Sequence, residues 1–86
     1  MPVPRFELTA HAATVVDERA IDIGWIARVL ATPERTETDK ADQSLTHAIA
    51  RIPERDDRML RVVYNASVEP IRVITVYFDR RQRGKS

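Results

Sequence analysis

The chain contains no cysteine. That removes disulfide staples, thiol nucleophiles and thiolate metal sites at once. Because small secreted domains usually depend on disulfides, it also makes a reducing, cytoplasmic setting the expectation. Glycine occurs only twice, so neither a glycine-rich phosphate loop nor a nucleophile elbow can be built. Apolar runs are short, and none approaches the roughly 20 residues of a membrane helix. The stretch Met1 to Ala20 has no apolar run and carries Arg5, Glu7, Asp17, Glu18 and Arg19, so it does not read as a signal peptide. The two histidines, His11 and His47, are far apart and have no adjacent acidic cluster. A metal site is therefore not expected, and no cofactor is implied.

What is present is ordinary for a folded protein. Apolar residues make up 43% of the 86 positions and charged residues 31%, the balance of a globular chain and not of a disordered one. This length predicts a single domain spanning 1–86 that buries only about 60 to 65% of its unfolded surface. The net charge of +1 hides an asymmetry: residues 1–44 carry −3 and residues 45–86 carry +4. Nearly all cations of the second half are arginines, whose planar fork suits phosphate or carboxylate. A solvated sheet rim with a basic, flexible tail over 81–86 is the alternative reading.

The periodicity divides the chain into helices first and strands afterwards. Phe6 to Leu8 reads as a short strand. Thr9 is placed to cap a helix from Ala10 to about Arg19, with Ala12, Val15, Val16 and Arg19 on one stripe. Asp22 caps a second helix from Ile23 to Ala31 that buries Ile23, Ile26, Val29 and Leu30, with Trp25 at the margin. Thr32-Pro33 ends it. Exposed polar residues from Glu34 to Lys40 predict an edge strand. Leu45–Ile52, Arg58–Ala66 and Ile71–Arg80 predict three more strands. The fold class is α+β, with two N-terminal helices packed on one face of an antiparallel sheet of about four strands. Pairing Tyr64 with Arg72 would put Leu60, Val62, Tyr64, Ile74, Val76 and Phe78 against the helices. It would leave Arg61, Val63, Asn65, Val73, Thr75 and Tyr77 on a mixed outer face.

Several segments resemble a family. Leu8-Thr9-Ala10-His11-Ala12, Asp17-Glu18-Arg19-Ala20-Ile21, Leu60-Arg61-Val62-Val63-Tyr64 and Val73-Ile74-Thr75-Val76-Tyr77 are similar to an uncharacterised bacterial family of small toxin-like domains. The resemblance covers about Phe6 to Arg81. It implies a RelE-like architecture, close to the RelE/ParE and BrnT-type toxins of toxin–antitoxin pairs, many of which are ribonucleases. It also implies RNA and a cognate antitoxin as partners. Two departures stand out. Ala20 replaces the glycine usual after Glu-Arg, which predicts a helix ending without a left-handed cap. In addition, no compact lysine-rich site is present.

Metal-independent RNA cleavage needs a proton carrier near a 2′-hydroxyl and a cation at the phosphate. On the mixed face His47 is the candidate proton carrier and Arg61 the phosphate ligand. Thr75 and Tyr77 are hydrogen-bonding or stacking partners. Arg51, Arg80, Arg81 and Arg83 are candidate RNA contacts. His11 is a further candidate, oriented by a strand or by Glu18, while Arg19 is expected to pair with a carboxylate or a carbonyl. Each has a bland counterpart: Thr75 and Tyr77 are good strand formers, and His47 is a surface strand residue. The alternative function is a non-catalytic interaction domain of the same fold, homodimeric or bound to a protein partner through the mixed face.

Overall fold

The structure is a computed structural model that describes residues 4–79. Thr9 sets the first helix, α1 (Ala10–Glu18): its hydroxyl oxygen accepts from the Ala12 N–H at 3.1 Å. The same hydroxyl donates to the Ile74 carbonyl at 3.1 Å, tying the helix start to the last strand. Ala12 is fully buried and Val15 and Val16 pack against the core. After α1 the chain enters the left-handed region at Ala20, φ 54°. The Ile21 N–H reaches the Val16 carbonyl at 3.0 Å and the Ala20 N–H reaches that of Asp17 at 3.4 Å, the paired bonds of a Schellman ending. The cap expected to be lost with glycine thus forms on alanine, because Ile21, only 4% exposed, anchors the turn in the core.

Asp22 caps the second helix, α2 (Ile23–Ala31), accepting from the Gly24 N–H at 2.7 Å. Ile26 and Val29 are fully buried, whereas Ile23 remains 45% exposed. Burial is confined to the central part of α2, so the expected apolar stripe is one residue too long.

Five strands follow from the remaining pattern: β1 (Phe6–Leu8), β2 (Arg35–Thr38), β3 (Thr46–Ile52), β4 (Arg58–Asn65) and β5 (Ile71–Asp79). They lie in the order β1-β5-β4-β3-β2. The sheet is mixed, not a four-stranded antiparallel one, because β1 runs parallel to β5, with Phe6 opposite Ile71 and Leu8 opposite Val73. Pairing satisfies the polar backbone of β5 on the side that β4 leaves open. A 3₁₀ turn, Pro53–Arg55, and two left-handed residues, Asp56 and Asp57, connect β3 to β4.

The β4–β5 register also differs from the expected one. Asn65, not Tyr64, lies opposite Arg72; Tyr64 faces Val73, and Val63 faces Thr75. Ile74 is the extra residue of a β-bulge, which exchanges the faces of its neighbours. Val73 therefore joins Ala48, Ala50, Ile52, Leu60, Val62 and Val76 in the core beneath the helices, and Ile74 does not. Each fully buried valine or leucine side chain contributes about 1.5–3 kcal/mol by leaving water.

Candidate functional site

The face of the sheet turned away from the core cluster is ordered in cross-strand rows. Glu37, His47, Val63 and Thr75 form one row; Arg35, Ile49, Arg61 and Tyr77 form the next; Arg51, Met59 and Asp79 form the third. Arg61 occupies the centre and is only 6% exposed. Its Nε and Nη2 donate to Asp79 Oδ2 at 3.0 and 2.7 Å, and Nη1 donates to Glu37 Oε1 at 3.2 Å. The same Nη1 lies 2.8 Å from Nδ1 of His47. Burial works against the Arg61 charge, but its bonds to Asp79 and Glu37 outweigh it and raise the guanidinium pKa above its ordinary value.

This contact dictates the state of the imidazole. A guanidinium can only donate, so Nδ1 of His47 must be the acceptor. The ring proton of the neutral histidine therefore sits on Nε2. That nitrogen lies 2.7 Å from Asp39 Oδ1 and donates to it. The bond from His47, together with backbone N–H groups of Asp42 and Ala41, holds the Asp39 carboxyl below the usual carboxylate range. Glu37 is lowered by its bond from Arg61. Asp39, His47, Arg61 and Asp79 thus form one hydrogen-bonded chain, with Glu37 as a branch.

A depression of about 330 Å³ opens over this chain, lined by Glu37, Thr38, Asp39, Lys40, Ala41, His47, Arg61 and Tyr77. Its wall comes from the β2–β3 connection, which is pinned by the Asx-type turn at Asp39. Tyr77 is 39% exposed and stands opposite Arg61 in register. Two carboxylates, Glu37 and Asp39, and two cations, Lys40 and Arg61, line it, so the depression is polar without an excess of either charge.

The fold brings His47, Arg61 and Tyr77 together, while Thr75 sits two strands from His47. Thr75 Oγ1 lies 3.2 Å from His11 Nε2, so His11 is oriented by a strand and not by Glu18. Arg51 lies outside the depression, bonded to Glu34 at 3.2 Å. Arg19, expected to be buried and paired, is an exposed helix-capping residue without a side-chain partner among the described residues. Its place at the end of α1 turns it outward. Arg80, Arg81 and Arg83 fall outside the described residues. Among the described residues no group of three His, Cys, Asp or Glu could hold a metal ion. No described helix is long and apolar enough to cross a membrane.

Glu37, Asp39 and Asp79 were missed by the sequence reading. Antiparallel pairing of the edge strand would have placed Glu37 opposite His47. Asp79 shares the parity of Thr75 and Tyr77, the residues already assigned to this face.

The chain belongs to the family described as Domain of unknown function (DUF4258), whose model matches residues 8–78. No curated protein and no solved structure matches it.

Proposed function

We propose that this domain binds single-stranded RNA and cleaves it without metal, as the toxin-like ribonuclease of a bacterial toxin–antitoxin pair. The observation that carries the reading is the Asp39–His47–Arg61 chain at the floor of an open depression beside Tyr77. A β-α-α order followed by an antiparallel meander supports setting the fold beside the RelE/ParE and BrnT-type toxins.

In the proposed reaction, a phosphate oxygen takes the Nη1 proton donor of Arg61 and so uncovers Nδ1 of His47. Nδ1 accepts the 2′-hydroxyl proton as O2′ bonds to phosphorus. The bond from phosphorus to the 5′ oxygen breaks, and that oxygen leaves with a proton taken from water. Asp39 stabilises the imidazolium that results, the role a carboxylate plays behind any histidine base. Tyr77 offers a ring on which a base can stack.

The test is incubation of the purified protein with a labelled single-stranded RNA in the presence of EDTA. Products ending in a 2′,3′-cyclic phosphate, and an inert 2′-deoxy substrate, are the expected result. Binding no tighter than about 100 μM at physiological salt, the weak edge of nonspecific nucleic-acid affinity, together with intact RNA would sink the reading.

A second reading rests on β2, an outer strand on which every residue is exposed. Such an edge can accept a strand from a protein partner, which suits a non-catalytic interaction domain. It predicts that protein is captured while RNA is left untouched.

A further inference from the structure

A second, smaller cleft of about 80 Å³, toward the helix side of the sheet, is lined by Arg19, Ile21, Arg55, Arg58, Tyr77 and Phe78. Its charge is of one sign. Arg28, Arg35, Arg51, Arg61 and Arg72 each have a carboxylate partner. Of the other described arginines, Arg5 lies elsewhere, and Arg19, Arg55 and Arg58 converge on this cleft. No acidic side chain lines it. Three arginines thus line one concavity in which no described acidic side chain takes part.

The three arrive there by separate structural means. Arg19 is the capping residue of α1, held by the turn that Ile21 anchors. Arg58 opens β4 opposite Ile52. The guanidinium carbon of Arg55 lies 5.1 Å from the Phe78 ring centroid and 5.8 Å from that of Trp25. Those rings pack edge to face at 6.3 Å. Cation–π attraction positions Arg55 without neutralising it, so its N–H groups stay available. Collecting like charges is unfavourable unless an anion joins them, and planar forks match phosphate oxygens in particular. The space holds several water-sized groups, which suits one phosphate and not a nucleobase.

Tyr77 lines both cavities. From these placements we infer that the Arg19–Arg55–Arg58 cleft is a subsite for one backbone phosphate of a single-stranded RNA, sharing Tyr77 with the His47 depression. The subsite deepens the ribonuclease reading and rests on it for the identity of the strand. It supplies the net positive charge that the depression lacks.

The experiment compares the wild type with Arg19→Gln/Arg58→Gln, two exposed changes that spare the aromatic packing of Arg55. Arg5→Gln/Arg72→Gln, at the β1 side of the sheet, is the charge-matched control. RNA affinity is measured against salt concentration. For a single strand each phosphate contact contributes about 0.7 to the slope of log affinity against log salt. The cleft variant is expected to lose about 0.7 of that slope while the control loses less. Equal slopes and affinities for wild type, cleft variant and control would overturn the subsite while leaving RNA binding intact. If the wild type binds no RNA, the ribonuclease reading falls, and titration with inorganic phosphate decides the cleft. Amide shifts at Arg58 and Tyr77 that vanish in the cleft variant sustain a phosphate site; their absence in the wild type overturns it.

Discussion

Arg61 and Asp79 meet through two hydrogen bonds, Nε at 3.0 Å and Nη2 at 2.7 Å, that converge on the single oxygen Oδ2. Both side chains are nearly sealed from water, at 8% and 4% exposure. A pair this buried gains strong Coulomb attraction but has given up the hydration of both ions, so its net contribution is small while the loss of either partner is not.

Arg61→Ala is therefore expected to destabilise the domain by about 3–5 kcal/mol, because the buried Asp79 carboxylate loses both of its bonds from the guanidinium. For a domain whose total stability is on the order of 4–13 kcal/mol, that is a large fraction. Arg61→Leu/Asp79→Leu should restore most of it. Urea denaturation of the two variants checks this. Equal destabilisation by both would show that the pair itself, and not the buried charge left behind, carries the stability. A loss of activity in Arg61→Ala alone consequently says nothing about chemistry.

His47 is the cleaner probe. His47→Ala removes the acceptor of Arg61 Nη1, but Arg61 keeps its bonds to Asp79 and Glu37. The expected stability cost is about 1–2 kcal/mol. RNA cleavage, by contrast, should fall by roughly 10² to 10⁴, the contribution of a positioned proton carrier. Unchanged cleavage in a folded His47→Ala protein would remove this histidine from the mechanism. Asp39→Asn should lower the rate less, since it weakens only the support of the ring.

The outer face was partly legible before any coordinates. Strand alternation in β4 and β5 put Arg61 and Tyr77 on one side, whereas the face of His47 follows from its pairing with Val63, which no pattern within β3 reveals. The bulge at Ile74 was not legible, because Val73 and Ile74 are adjacent and both apolar, so either can face the core. Nor was the parallel pairing of β1, which depends on a contact between the two ends of the chain and leaves no local periodic mark. Asp39 escaped notice for a related reason: its carboxylate serves a turn and a histidine at once, and only the turn has a sequence signature. The arginine cleft draws on three elements and on which carboxylates the other arginines occupy, so composition alone could show the surplus of arginine but not where it gathers.

Ala20 offers a test of the backbone argument. An L-residue in the left-handed region costs roughly 1 kcal/mol relative to glycine, and Ala20 sits there at φ 54°. Ala20→Gly is expected to raise stability by up to about 1 kcal/mol, less whatever the unfolded chain gains in freedom. Thermal melts of the two proteins measure it; a drop of similar size would mean that the alanine methyl makes a packing contribution greater than its strain.

Acid should weaken the fold in a defined window. Glu37, Asp39, Asp42 and Glu54 all have carboxyls held below their ordinary values, chiefly by bonds from Arg61, His47, Ser44 and Arg28 respectively. Carboxylates lowered on folding contribute stability that is complete above their unfolded pKa values, near 4, and that is lost as pH falls through the folded ones. Glu54, lowered from 4.5 to about 2, sets the lower end of that window. Urea midpoints should thus fall from about pH 4 toward pH 2. The decline should be shallower in Glu54→Gln, and an identical slope in that variant would remove Glu54 from the linkage.

Tyr77 separates stacking from hydrogen bonding. Tyr77 is exposed, stands opposite Arg61 and lines both cavities, so an RNA strand that occupies both is expected to meet it. Stacking of a base on an aromatic ring is worth about 1–3 kcal/mol by truncation. Tyr77→Ala should therefore weaken RNA binding by roughly fivefold to a hundredfold, and Tyr77→Phe should leave it nearly unchanged. Because the side chain is partly in solvent, neither change is expected to unfold the protein, and circular dichroism verifies that. Equal loss in Tyr77→Phe would mean that the hydroxyl, and not the ring, meets the strand, which would turn Tyr77 from a platform for a base into a ligand of the phosphate. No loss in either variant would route the RNA away from Tyr77 and break the link between the two cavities.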